Sequence, residues 1–155
     1  MKLCRFKDSS GTVCVGLALD EGSIANLTAG GVESITSLLE DTNRVQHLSD
    51  LAGQRLPKVE LAEVTLLTPV EGQEVWAAGV TYLRSKKARM EESDFSANAY
   101  DLVYEADRPE IFFKSLPEKV SGPEEAVGIR SDAKWNVPEP ELTLVVNSAK
   151  ELVGY

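Results

Sequence analysis

The chain has 155 residues, a formal net charge of −9 and a pI near 4.7. This balance works against nucleic acid and anionic membrane as partners, because both reward basic patches. No apolar stretch reaches spanning length, and the charged start Met1-Lys-Leu-Cys-Arg-Phe-Lys7 lacks a signal peptide's apolar run, so a soluble cytoplasmic protein is expected.

Residues 1–70 read as a small N-terminal α+β domain. Residues 3–7 and 12–18 alternate as hairpin strands around the turn Asp8-Ser-Ser-Gly11. Cys4 and Cys14 fall on those strands. Two cysteines without metal-site spacing read as small buried hydrophobes. Residues 32–40 and 44–51 have helical spacing, with Gly30-Gly31 before the first and Gly53 after the second. The single histidine, His47, sits in a polar part of the second helix and reads as a surface residue. No Gly-x-Ser-x-Gly elbow accompanies it, so a Ser-His-Asp triad has no support. Residues 59–67 alternate again and read as one strand.

A second domain is expected over 71–155. Residues 74–79 read as a short buried strand, and Thr81 is placed to cap a helix over 82–92. The polar stretch 93–107 lacks a period and reads as a mobile loop. Residues 109–114 read as a strand, as do 124–130 and 139–147. A turn at 148–151 then leads into a returning strand at 152. The chain stops inside that hairpin, so a C-terminally truncated sequence is expected.

The run Trp135-Asn-Val-Pro-Glu-Pro-Glu-Leu142 carries the clearest chemical signal. Glu139 and Glu141 stand at i and i+2, which puts both carboxylates on one face of an extended strand. Mg²⁺ accepts one or two carboxylates and leaves its other positions to water and substrate. Pro138 and Pro140 lack an N–H and confine the run to a strand start, an edge or a bulge. A solvated face is the ordinary alternative for such a pair. The residues that follow, Leu142 to Val146, are mostly apolar on both faces and read as a strand buried on both sides. Carboxylates at the mouth of such a strand need a partner.

A second cluster lies on the 82–92 segment. Ser85, Arg89 and Glu92 share one helical face at i, i+4 and i+7. An ordinary solvated helix is one reading. The other is a clamp, in which Arg89 grips a substrate carboxylate, Ser85 hydrogen-bonds it and Glu92 moves a proton. Lys114 ends an apolar strand. It either snorkels to solvent or, if buried, serves as a base or enolate ligand. Trp135 reads as a wall or core residue.

Four segments in order, Gly79-Val-Thr-Tyr82, Pro109-Glu-Ile-Phe-Phe-Lys114, Gly122-Pro123 and Pro138-Glu-Pro-Glu-Leu142, resemble the fumarylacetoacetate hydrolase family. The resemblance covers about residues 70–155. It implies a mixed β-roll catalytic domain with Mg²⁺ or Mn²⁺ on Glu139 and Glu141, and a third acidic ligand on a strand beyond Tyr155. It also implies a homodimer when full length. Hydrolytic members carry Gly-x-Asn-Tyr and a His-x-x-Glu dyad; here Thr81, Ser85 and Ala88 stand at those positions. The form from Thr81 to Glu92 is instead similar to the branch of 2-keto-3-deoxy sugar-acid dehydratases. The resemblance therefore implies dehydration of a 2-keto acid, with Glu92 and Lys114 as proton-transfer candidates and Thr81, Ser85 and Arg89 binding substrate. Hydrolysis, isomerisation or hydration of a related keto or diketo acid is the alternative, as is an inert fragment.

Overall fold

The structure is a computed structural model that describes residues 1–20, 22–79, 82, 101–136, 138 and 140–155. The fold is α+β, as expected. The chain divides into two compact units. One comprises Met1–Gly72, Val120–Ala133 and Glu141–Tyr155, and the other Gln73–Lys119 and Lys134–Pro140.

The first unit is built on a five-stranded antiparallel sheet. Its strands are β1 (Lys2–Lys7), β2 (Val13–Ala18), β3 (Ser23–Asn26), β4 (Lys58–Glu60) and β5 (Thr65–Leu67), in the order β4-β3-β2-β1-β5. The β1–β2 register runs from Lys2 opposite Ala18 to Lys7 opposite Val13. The turn between them is closed by Asp8, whose carboxylate accepts from the backbone N–H groups of Ser10 and Thr12, each at 2.9 Å. Gly11 supplies the left-handed residue at φ 84°.

Alternation along these strands separates two apolar layers. Val15, Leu17, Ala25 and Leu27 pack against Val32, Ile35, Leu38, Leu48 and Leu51 from the helical layer. That layer holds α1 (Ile35–Glu40) and α2 (Arg44–Ala52). On the opposite sheet face Phe6, Cys14 and Ile24 form a smaller cluster, flanked by Cys4, Val59, Val64 and Leu66. Cys14 is buried and Cys4 half-buried, in line with their reading as small hydrophobes. Gly16 is demanded by packing here. A Cβ on it would lie 2.4 Å from Ile24 Cγ2 and 2.9 Å from Phe6 Cε1.

The first helix begins at Ile35, three residues later than its spacing suggests. Ser34 takes the cap position, and its hydroxyl accepts from the Ser37 N–H at 2.9 Å. A second cap comes from outside the helix. The Glu71 carboxylate accepts from the N–H groups of Ile35 (3.1 Å) and Thr36 (2.8 Å) and from the Thr36 hydroxyl (2.6 Å). Its Oε1 also lies 3.3 Å from Arg5 Nε, and Arg5 Nη1 donates to the carbonyls of Thr68 and Val70. One carboxylate thus ties β1, the exit from β5 and the start of α1.

Three expectations for this unit are corrected. Residues 59–67 are not one strand. β4 pairs with β3 at one sheet edge and β5 pairs with β1 at the other, so a 3₁₀ turn at Leu61–Glu63 breaks the run. Residues 124–130 form no strand. Glu124 has φ 63°, and the Gly122 N–H donates to Glu125 at 2.7 Å, closing a turn; alternation without a neighbouring ladder does not make a strand. The strand expected at 139–147 is reduced to β8 (Val145–Val146), paired with β9 (Leu152–Gly154). It is not buried on both faces, since Leu142 and Leu144 are 64% and 57% exposed. β8 has β9 as its ladder partner, and a two-residue strand cannot cover the residues before it. The turn at 148–151 and the return strand are as expected.

The second unit contains the antiparallel ribbon β6 (Val75–Ala78) and β7 (Ile111–Ser115), with Trp76 opposite Phe113 and a register shift beside Val75. Trp76 meets Phe113 edge-on, with ring centroids 6.0 Å apart. The strand is not the buried one expected, because Trp76 is 56% exposed. Residues 101–104, expected within a mobile loop, are helical, closed by the Glu105 N–H donating to the Asp101 carbonyl at 3.0 Å. A helical turn needs this backbone bond but no apolar period. The expected helix over 82–92 and the rest of the loop, 93–100, lie outside the described residues apart from Tyr82. Among the described residues no helix is long and apolar enough to cross a membrane.

Replacing Glu71 by Ala is expected to destabilise the first unit by about 2–4 kcal/mol, since it strands two helix-end N–H groups and the Arg5 charge together. Denaturant unfolding measures this. A midpoint equal to wild type would contradict the role given to Glu71.

Candidate metal-binding segment

Glu141 stands in the first unit immediately after Pro140, on backbone outside any strand, and its side chain is exposed. Pro138 and Pro140 account for the irregular backbone: neither offers an N–H to a ladder. Glu139 lies outside the described residues. Thr81, Ser85, Arg89 and Glu92, the residues of the expected clamp, also lie outside them.

Lys114 is described. It sits on β7, exposed, with Nζ 5.9 Å from the centroid of the Phe112 ring. Residues i and i+2 share a strand face, which brings the ammonium over the aromatic ring. This is the snorkelling arrangement; the burial on which the basic role depended is not found. Trp135 is not a core residue either, being 65% exposed. Asp132, just upstream, is held by Arg130 through a two-pronged contact of Nε and Nη2, which pulls its carboxyl below the usual aspartate range.

The donor chemistry suits a hard cation. The two acidic residues of the segment offer oxygen ligands alone, and softer ligands are engaged elsewhere. His47 is a surface residue, as expected, and its Nδ1 lies 3.0 Å from Asp41 Oδ2. The Asn43 N–H and then His47 hold the Asp41 carboxyl below its usual range. Cys4 and Cys14 belong to the sheet. An all-oxygen pair fits Mg²⁺ or Mn²⁺ better than zinc. Among the described residues no group of three or more His, Cys, Asp or Glu side chains stands together, so further ligands would have to be supplied beyond these.

Sequence reasoning missed the contacts that hold the turn at residues 148–151. Glu40 meets Ser148 and Arg44 meets Glu151, across separations of 108 and 107 residues. No local pattern marks such pairs.

Comparison with known proteins supplies what the geometry leaves open. No family model matches the chain. Over 87 residues it is 52% identical to a probable 2-keto-3-deoxyxylonate dehydratase of Haloferax volcanii, an alignment covering 56% of this chain and 29% of that protein. Over 103 residues it is 36% identical to 2-dehydro-3-deoxy-D-arabinonate dehydratase of Saccharolobus solfataricus, covering 64% of this chain and 35% of the relative. Over these stretches the chain is similar to 2-keto-3-deoxy sugar-acid dehydratases. It spans about a third of the length of these two relatives. The apo form of a 2-keto-3-deoxy-D-arabinonate dehydratase superposes with a TM-score of 0.69 at 29% identity, covering 100% of this chain and 53% of that one. Another structure of such an enzyme, complexed with magnesium and 2,5-dioxopentanoate, gives 0.64 at 26% identity, with 100% and 53% covered.

The exposed placement of the acidic segment is open to a direct check. In a Trp76→Phe variant, emission from Trp135 is expected to be fully quenched by acrylamide. A protected, blue-shifted emission would contradict that placement.

Proposed function

We propose that this chain carries the metal-binding part of a divalent-metal-dependent dehydratase acting on a 2-keto-3-deoxy sugar acid. The observation that carries the reading is the 52% identity over 87 residues to a dehydratase of that substrate class. The magnesium in the related structure agrees with the oxygen-donor pair here. Glu139 and Glu141 would hold Mg²⁺, or Mn²⁺ in its place. When bound, the ion would supply the Lewis acidity that polarises the 2-keto group and acidifies the proton on C3.

The chain's own residues do the rest. Arg89 grips the substrate carboxylate through a paired guanidinium contact, with Ser85 and Thr81 donating hydroxyl hydrogen bonds beside it. Glu92 and Lys114 are the candidates for proton transfer. Glu92 accepts the C3 proton while the electron pair forms the C3–C4 double bond. Lys114 protonates the departing C4 hydroxyl, which leaves as water. General acid–base assistance of this kind contributes about 10²–10⁴-fold.

Residues 1–70 act as an N-terminal domain in this reading and 71–155 as part of the catalytic domain. The reading includes a homodimer of the complete enzyme, with a small-molecule 2-keto acid as its ligand. It also includes a cytoplasmic setting, where the thiols of Cys4 and Cys14 stay reduced.

The test is turnover of a 2-keto-3-deoxypentonate by the complete enzyme with Mg²⁺, followed as loss of substrate with release of water. Activity is expected to vanish with a chelator and return with Mg²⁺. Loss of an outer-shell partner alone typically costs 10–100-fold in metal affinity, so Glu141→Gln is expected to weaken Mg²⁺ binding by at least about tenfold. Wild-type turnover and affinity in that variant would overturn the ligand assignment.

A further inference from the structure

The β8–β9 hairpin has little of its own to hold it in place. β8 has two residues and β9 three, and a two-stranded hairpin is marginal in water. Its apolar side chains Val146 and Leu152 are both exposed. Polar contacts seat it instead. Glu40, the last residue of α1, accepts from the Ser148 N–H at 2.9 Å and from the Ser148 hydroxyl at 2.6 Å. Those two bonds, the hydroxyl first, hold the Glu40 carboxyl below the usual glutamate range. Arg44, the first residue of α2, reaches Glu151 at 3.3 Å and also donates to the Asp41 carbonyl at 3.2 Å.

The turn itself is pre-set to receive these contacts. Asn147 Nδ2 donates to Glu151 at 2.9 Å, and the Glu151 N–H donates to Asn147 Oδ1 at 2.9 Å. Lys150 takes the left-handed conformation at φ 65°. The corner between α1 and α2 therefore grips both ends of one short turn.

We propose that Glu40 and Arg44 are positioning residues that latch the hairpin to the helical corner and thereby fix where Glu141 is presented. Glu141 lies four residues before β8, so an anchored β8 confines it within about 14 Å of that strand. A released hairpin removes that restraint. The functional half of this inference rests on the metal reading of Glu141; the latch itself does not.

Amide hydrogen exchange on the full chain, with and without Glu40→Ala, separates the two. Ser148 and the β8–β9 amides are expected to exchange at least about tenfold faster in the variant, because charge-assisted bonds are among the strongest side-chain ties. The β1–β2 amides serve as the control for global folding and are expected to be unchanged. Glu40→Gln keeps one carbonyl acceptor and is expected to restore part of the protection. Calorimetric titration of the complete enzyme with Mg²⁺ then reads the positioning, with weaker affinity expected in Glu40→Ala although Glu141 is intact. Unchanged exchange at 145–154 overturns the latch. Faster exchange with unchanged Mg²⁺ affinity overturns the positioning role. If the wild-type protein takes up no Mg²⁺, the proposed function fails, and exchange still decides the latch.

Discussion

The first unit depends on one carboxylate. Glu71 sits on the first N–H groups of α1 and beside the Arg5 guanidinium. A helix start leaves its N–H groups without internal partners, and a side chain facing the core cannot leave them to water. Glu71 answers that need from the segment just past β5. Arg5 in turn reaches the carbonyls of Thr68 and Val70 in the same segment. The helical layer is thus tied to the sheet at a fixed point, and the apolar contacts between Leu17, Leu27, Leu38 and Leu51 form around it. Removing the charge exposes both partners of the arrangement at once, which is why its effect exceeds that of a surface ion pair.

The candidate site follows a different logic. Pro138 and Pro140 offer no N–H to a ladder, and Glu141 stands outside any strand with its side chain exposed. The apolar surroundings foreseen for the glutamates are not there: Leu142 and Leu144 face solvent, as does Trp135. The metal assignment therefore rests on donor chemistry and on relationship to the dehydratases, not on a desolvated pocket. The latch at Glu40 and Arg44 offers what the local sequence does not, a fixed origin for the strand that follows Glu141.

Local structure was readable from local patterns. The β1–β2 hairpin forms around Asp8-Ser-Ser-Gly11, and the helix expected over 44–51 appears as Arg44–Ala52. The short strand β3 is not legible in the sequence, because four residues between two turns carry too little periodicity. The alternation at 59–67 was real, but the chain must cross from one sheet edge to the other within it, and alternation does not encode that. At 124–130 the same signal came without any ladder to join. Long-range choices such as Glu71 with Arg5 or Glu40 with Ser148 left no trace, since any of the 25 acidic residues satisfies the same local rule. The family resemblance is legible because four motifs stand in order where a single motif carries little information, and the likeness to the dehydratases is legible in the form from Thr81 to Glu92.

The most direct measurement places the ion itself. Mn²⁺, a paramagnetic stand-in for Mg²⁺, broadens NMR signals of nuclei near it. Titration at substoichiometric Mn²⁺ is predicted to broaden the amides of Asn136, Glu141 and Leu142 first, leaving those of the β1–β2 hairpin sharp. Broadening spread over acidic turns such as Asp8 and Asp20, with none at residues 136–142, would contradict a metal centre built on Glu139 and Glu141.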